Sequence, residues 1–170
     1  MTLWILISGK RCSGKSTLAE KIHRMYINNN ITVSIIAIAD ALKISFCNAN
    51  NLDIQKMSKY TFKENQRPKL LLYAKTKQNK IGETCWIDEM LQFIPNTQVV
   101  IVSDVRRKYE LNAIINHITI NNDTSVTIRI NVPEWVRKKR GWCNMDLDSN
   151  IFETDLDDYT WDRIYQQHEF

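Results

Sequence analysis

The segment Gly9-Lys10-Arg11-Cys12-Ser13-Gly14-Lys15-Ser16-Thr17 follows the apolar run Leu3-Trp4-Ile5-Leu6-Ile7. A G-x-x-x-x-G-K-[ST] spacing between a strand and a helix is that of a phosphate-binding loop. Its glycines let backbone N–H groups turn inward around phosphate oxygens, and the helix starting near Lys15 adds its positive dipole end. The chain has only four glycines in 170 residues, so two at this spacing with Lys-Ser behind them are not an effect of composition. In such a loop the lysine, Lys15, reaches the terminal phosphates and the hydroxyl, Ser16, ligates Mg²⁺. The loop alone implies a nucleotide phosphate and leaves the reaction open.

The length suits one domain, 1–170, with a real core. A hydrophobic content of 44% and a charged content of 25% are those of a globular protein. No apolar run approaches the ~20 residues of a membrane span. Cys12, Cys47, Cys85 and Cys143 form no C-x-x-C pair, so neither a zinc site nor a disulfide framework is suggested, and a reducing, cytoplasmic setting fits. The net charge of +4 gathers at Lys10-Arg11, Arg106-Arg107-Lys108 and Arg137-Lys138-Lys139-Arg140. These clusters lack interleaved aromatic residues, so they read as polyphosphate contacts and not as a nucleic-acid surface.

Strand-like and helical runs alternate, which predicts an α/β fold with a parallel sheet covered by helices on both faces. The strands are expected at 3–8, 32–39, 98–103, 125–132 and near Ile164-Tyr165. Helices are expected at 15–28 and around Leu111, Ile114 and Ile115, with a short one opened by Pro133. The region 40–94 reads as helical with breaks near Pro68 and Gly82, too long for a simple crossover. Residues 141–158 are acidic and read as loop. Right-handed crossovers would bring the loops after the strands to one edge of the sheet.

Several charged residues fall at that edge. Asp104, behind Val-Val-Ile-Val-Ser, stands where a Mg²⁺-linked aspartate is expected, with an Asx turn capping the next helix as the structural alternative. Arg106 and Arg107 offer bidentate guanidinium groups at a helix start, where the dipole disfavours positive charge unless a ligand is served. Asp40 and Lys43 follow the second strand; Asp40 suits either an acceptor hydroxyl or a helix N-cap. Arg137 and Arg140, in the run leading to Gly141, suggest a lid over phosphates at about 133–158. The histidines His23, His117 and His168 sit at no motif spacing, and phosphoryl transfer needs no histidine base.

With these residues in place, the chain resembles the animal-type phosphomevalonate kinases, a group of P-loop small-molecule kinases. The resemblance is carried by Ser8 to Lys15, Ala41-Leu42-Lys43, Tyr60 to Glu64, Val102 to Arg107, Arg140-Gly141-Trp142, Glu153 to Asp157 and the end around Asp162 to His168. It implies a P-loop NTPase fold of the nucleoside monophosphate kinase type, a three-layer sandwich with about five parallel strands and a mobile lid. Region 40–94 would then bind substrate. It implies transfer of the γ-phosphate of ATP to a phosphate-bearing acceptor, with ATP and Mg²⁺ as cofactors and a small phosphorylated acceptor as partner. A monomer is expected, with no membrane or nucleic-acid partner.

From the residues and the resemblance together, ATP contacts are expected on Gly9, Lys10, Arg11, Cys12, Ser13, Gly14, Lys15, Ser16, Thr17 and Arg137, although the family has a basic residue at the place of Cys12 and an acid at that of Ser16. Catalysis falls on Lys15, Asp104, Arg106, Arg107 and Arg140, acceptor binding on Asp40, Lys43, Arg106 and Arg107, and the metal on Ser16 and Asp104. Leu72 stands where an acceptor-binding arginine would align. The Ala39-to-Lys43 stretch, the Ser-Asp-Val-Arg piece and the Glu-Thr-Asp-Leu-Asp run are also similar to phage-type deoxynucleoside monophosphate kinases, the alternative acceptor class. An alternative of another kind is a nucleotide-binding module without catalysis.

Overall fold

The computed structural model describes residues 1–142 and 151–166. Cys143, the middle of the expected lid at 143–150, and the stretch from 167 onward, His168 included, lie outside the described residues. The elements in chain order are β1 (Leu3–Gly9), α1 (Lys15–Asn28), β2 (Val33–Ile36), α2 (Ile38–Ala49), a 3₁₀ turn (Ile54–Ser58), α3 (Tyr60–Ile81), α4 (Cys85–Gln92), β3 (Val99–Val105), α5 (Lys108–Ile120), β4 (Thr124–Asn131), α6 (Glu134–Lys139), α7 (Ile151–Thr154) and β5 (Arg163–Gln166).

The five strands form one sheet in the order β2-β3-β1-β4-β5, with every pairing parallel. The fold is the expected α/β arrangement. Its middle strand is β1, whose apolar run is buried on both faces, as a parallel sheet requires. Ile5 and Ile7 point to one face, where they join Val33, Ile101, Ile128 and Ile130 against Ala19, Leu18 and Ile22 of α1. Trp4, Leu6 and Ser8 point to the other. There α5 presents fully buried Leu111 and Ile114, and His117 meets the Trp4 ring edge-on at 5.6 Å. On that second face β4 turns polar: Thr127 and Arg129 are buried, and the chain beyond α7 lies against them. Asp162 accepts the Thr127 N–H at 2.8 Å and its hydroxyl at 2.7 Å.

The structure departs from the sequence reading at four places. The second strand stops at Ile36, and Ile38 and Ala39 already belong to α2. The run 35–39 is apolar throughout, so it does not distinguish a buried strand from the buried first turn of a helix. The third strand extends to Val105, which places Asp104 inside it. Pro68 does not break α3, which runs through it and ends at Gly82 as expected; one lost hydrogen bond does not outweigh the turns on either side. Ile151–Thr154, read as loop, is a helical turn.

The chain divides into two compact units, Met1–Ile36 with Ile94–Phe170, and Ala37–Phe93. The first holds the sheet. The second is helical, with Phe46, Cys47 and Met57 at its core and Leu52, Phe62, Leu70 and Tyr73 packed around them. A polar network also ties its helices. Lys77 pairs with Glu89, donates to the Ser45 hydroxyl at 3.1 Å and lies 4.5 Å over the Trp86 ring. Among the described residues no helix is long and apolar enough to cross a membrane.

Leu6 lies fully buried at the centre of the middle strand. Leu6→Ala should cost about 2–5 kcal/mol through lost transfer energy and a cavity that a two-sided sheet cannot close. Urea unfolding, comparing midpoints at unchanged slope, measures it.

Candidate active site

The phosphate loop links β1 to α1. Gly9 is where the loop leaves the sheet, and a Cβ there would lie 2.6 Å from the Ser13 hydroxyl and 2.9 Å from the Ile130 carbonyl. Only glycine lets the loop fold back this tightly. Cys12 holds a left-handed backbone (φ 57°), a conformation few side chains adopt. The Lys15 ammonium turns into the loop and donates to the carbonyls of Gly9 at 2.6 Å and Lys10 at 3.0 Å. Burial, and next the charge of Arg106, pull it down from its ordinary value to about 7, while Glu153 and Asp104 act in the opposite direction.

Asp104 reaches this space through an irregularity in the sheet. Leu6 pairs with Val102 but Ser8 pairs with Val105, so β3 gains a residue against β1 between them. Such a bulge bends a strand and redirects its side chains beside a functional edge. Immediately beyond, the main-chain N–H groups of Arg106 and Arg107 donate to Glu110 at 2.8 and 3.0 Å. Burial pushes that carboxyl up to about 7, against the effect of those two bonds.

Carboxylates from the 153–158 segment meet the cations of this edge. Glu153, buried, accepts the Arg11 N–H at 2.8 Å with one oxygen and faces Arg106 at 3.8 Å with the other. Asp155 accepts from the Arg107 side chain at 3.0 Å and from the Lys108 N–H at 2.8 Å. Asp157 meets Lys10 at 3.2 Å and also pairs with Arg129, whose guanidinium donates to Ser8 at 2.9 Å. From the other side Arg140 donates to the Cys12 carbonyl at 3.1 Å. Arg140 is the C-cap of α6. Gly141, at φ 85°, and Trp142 send their N–H groups back to Lys138 (3.0 Å) and Arg137 (3.0 Å), a Schellman closure. Arg137 is buried 4.3 Å over the Trp142 ring and lines a cleft of about 420 Å³ that begins at Lys10 and is walled by Ile130, Val132 and Pro133.

Residues 7–120 match the family model for phosphomevalonate kinase. The chain belongs to the phosphomevalonate kinase family. The phosphomevalonate kinase of Drosophila melanogaster is 27% identical over 159 residues, which cover 91% of this chain and 81% of that one. Among solved structures, an APS kinase from Mycobacterium tuberculosis in complex with AMPPNP and APS superposes at a TM-score of 0.52 with 10% identity, covering 99% of this chain and 90% of that one. A Thermus thermophilus protein does so at 0.52 with 12% identity and the same 99% and 90% coverage. These two support the fold alone. The chain is an ATP-dependent small-molecule kinase, a phosphotransferase, on the strength of its family.

Within this kinase, Lys15, Asp104, Arg106, Arg140 and the loop from Gly9 to Ser16 all belong to the sheet-bearing unit. Arg107 stands in the same place, but its side chain is engaged by Asp155 and lies 5.4 Å over the Tyr109 ring. Asp40 and Lys43 belong to the helical unit, where they pair with each other at 2.7 Å. Neither aspartate is an N-cap: α2 is capped at Ala37 and α5 at Arg107. Leu72 is exposed on α3. Sequence reasoning passed over Glu153, Glu110 and Arg129. For Arg129 a signal was present, since Thr127-Ile128-Arg129-Ile130-Asn131 alternates and so gives β4 one polar face.

The Lys15 shift carries a stability consequence. The unfolded lysine holds its proton up to about 10.5 and the folded one only to about 7, so the cost of a buried ammonium is full below pH 7 and fades as pH rises to 10.5. Lys15→Met should therefore be more stable than the parent by a few kcal/mol at pH 6, with the gap closing by pH 10. Urea midpoints at the two pH values measure it.

Proposed function

We propose that this kinase transfers the terminal phosphoryl group of ATP to phosphomevalonate. An oxygen of the acceptor's phosphate attacks the γ-phosphorus, the bond from that phosphorus to the β–γ bridging oxygen breaks, and ADP leaves with the electron pair. The attacking oxygen is already ionised at neutral pH, so no general base is needed. The observation that carries the reading is the meeting of a phosphate loop, Lys15 and Arg106 at one sheet edge in a chain of this family.

Donor and acceptor are both anions, and their approach is disfavoured unless fixed cations stand between them. Lys15 serves the β- and γ-phosphates. On binding it exchanges the Gly9 and Lys10 carbonyls for phosphate oxygens and regains its proton. Arg106 serves the acceptor phosphate, and Arg140 closes on the donor side. Arg107 belongs to the same acceptor edge. The cleft beside Lys10 and Arg137 is suited to the rest of the nucleotide. Ser16 and Asp104 offer a hydroxyl and a carboxylate, hard oxygen donors that suit Mg²⁺. Bound there, the ion would neutralise charge on the transferring phosphate. The same reading takes the enzyme as a cytoplasmic monomer without membrane or nucleic-acid partners. In its favour, the basic residues Lys10, Arg106, Arg107 and Lys108 are met by the chain's own carboxylates.

ADP release measured over phosphomevalonate and the deoxynucleoside monophosphates tests the acceptor. Turnover of phosphomevalonate alone is expected, and turnover of deoxynucleotides alone would move the enzyme to the other acceptor class. Lys15→Ala should lower kcat by at least ~10³-fold with the fold retained by circular dichroism. Full activity in that variant would remove the mechanism.

A further inference from the structure

Of the carboxylates between 153 and 162, Glu153 differs in kind. Its side chain is 5% exposed, against 17% for Asp155, 42% for Asp157 and 72% for Asp158. Its two oxygens do separate things. One accepts a main-chain N–H inside the phosphate loop, at Arg11, and the other faces the Arg106 guanidinium. Asp155 and Asp158 hold the helix start at Arg107 and Lys108 and do not reach the loop. One rigid carboxylate thus spans the donor cradle and the acceptor-side cation.

We propose that Glu153 is a positioning residue for phosphoryl transfer, fixing the separation between the ATP loop and Arg106. The inference rests on the reading that Arg106 holds the acceptor phosphate. In-line transfer is sensitive to that separation, because the advantage of bound reactants depends on near-attack geometry. Glu153 also places negative charge beside two anionic substrates, which disfavours their binding. What it offers against that cost is geometry: one side chain tied to the Arg11 N–H and facing the Arg106 guanidinium.

The test compares Glu153→Gln, Glu153→Ala and Asp158→Asn with the parent. It uses melting curves, calorimetric titration with ATP, and kcat and KM for whichever acceptor the parent turns over. Glutamine keeps an oxygen for the Arg11 N–H and loses the ion pair. E153Q should therefore bind ATP within twofold of the parent, lose at least tenfold in kcat and show no rise in acceptor KM. E153A should in addition bind ATP about tenfold more weakly, and D158N should match the parent. A parental kcat in E153Q overturns the proposal. So does a loss of kcat matched by an equal loss of ATP-binding sites, which marks unfolding. If the parent turns over no phosphorylated acceptor, the reading of the acceptor fails. The ATP affinities still decide the role of Glu153: weak binding in E153A restored in E153Q supports it, and equal affinities overturn it.

Discussion

The active edge is governed by the repulsion among cations held together where β1, β3 and β4 end. Two unit charges 4 Å apart repel by about 4 kcal/mol at the effective dielectric of a protein surface. For Lys15, burial first and the charge of Arg106 next bring the proton's hold down to about 7, and the group turns onto the loop's own carbonyls. Arginines have no such recourse, because a guanidinium does not release its proton in a protein. Arg106 and Arg129 therefore require counter-charge, and the chain supplies it from Glu153 and Asp157. The chain from α7 onward is in this sense part of the core: it lies against the polar strip that Thr127 and Arg129 give β4.

The same requirement explains how the arginine pair is arranged. Glu110 grips both main-chain N–H groups and so fixes where the two side chains start. From that common origin Arg106 faces Glu153 and the loop, while Arg107 turns to Asp155 and the Tyr109 ring. The bulge at the end of β3 sets Asp104 just ahead of them. Adjacent arginines at a helix start thus do different work, one toward the phosphate loop and one toward the acidic segment.

What was legible in the sequence was what is local. The loop, α1 and β1 are encoded between Leu3 and Asn28 by spacing, apolar runs and glycine chemistry, and they appear where expected. The end of β2 was not legible, because Ile35 to Ala39 carries no period that separates strand from helix. Pro68 misled because one proline signals a break while α3 draws on turns to either side of it. Glu153 stood in a segment that carries the resemblance, but its role was not legible, for a different reason. Its meaning lies in a hydrogen bond to Arg11, 142 residues away, and nothing in the composition of an acidic stretch tells a buried brace from a solvated loop. Arg129 was half legible, since the alternation of β4 gives a polar face but not its partner.

The acidic segment also divides by burial into parts that respond differently to a ligand. Lys10 and Asp157 are 38% and 42% exposed, and a pair of that kind contributes about 0–1 kcal/mol. With Lys10 as the ATP contact proposed above, a phosphate would take it from Asp157 at little cost, leaving Asp157 with Arg129. Glu153 is different: 5% of its side chain is exposed, and besides facing the half-exposed Arg106 it holds the Arg11 N–H, so it is tied to the loop as well as to a cation. On the proposed function, the exposed carboxylate would hold the place of a phosphate, and the buried one would stay braced to the loop. A site that must be stable when empty and still open to polyanions needs both kinds, since exchangeable pairs alone would leave the loop unbraced and fixed pairs alone would leave no cation for ATP.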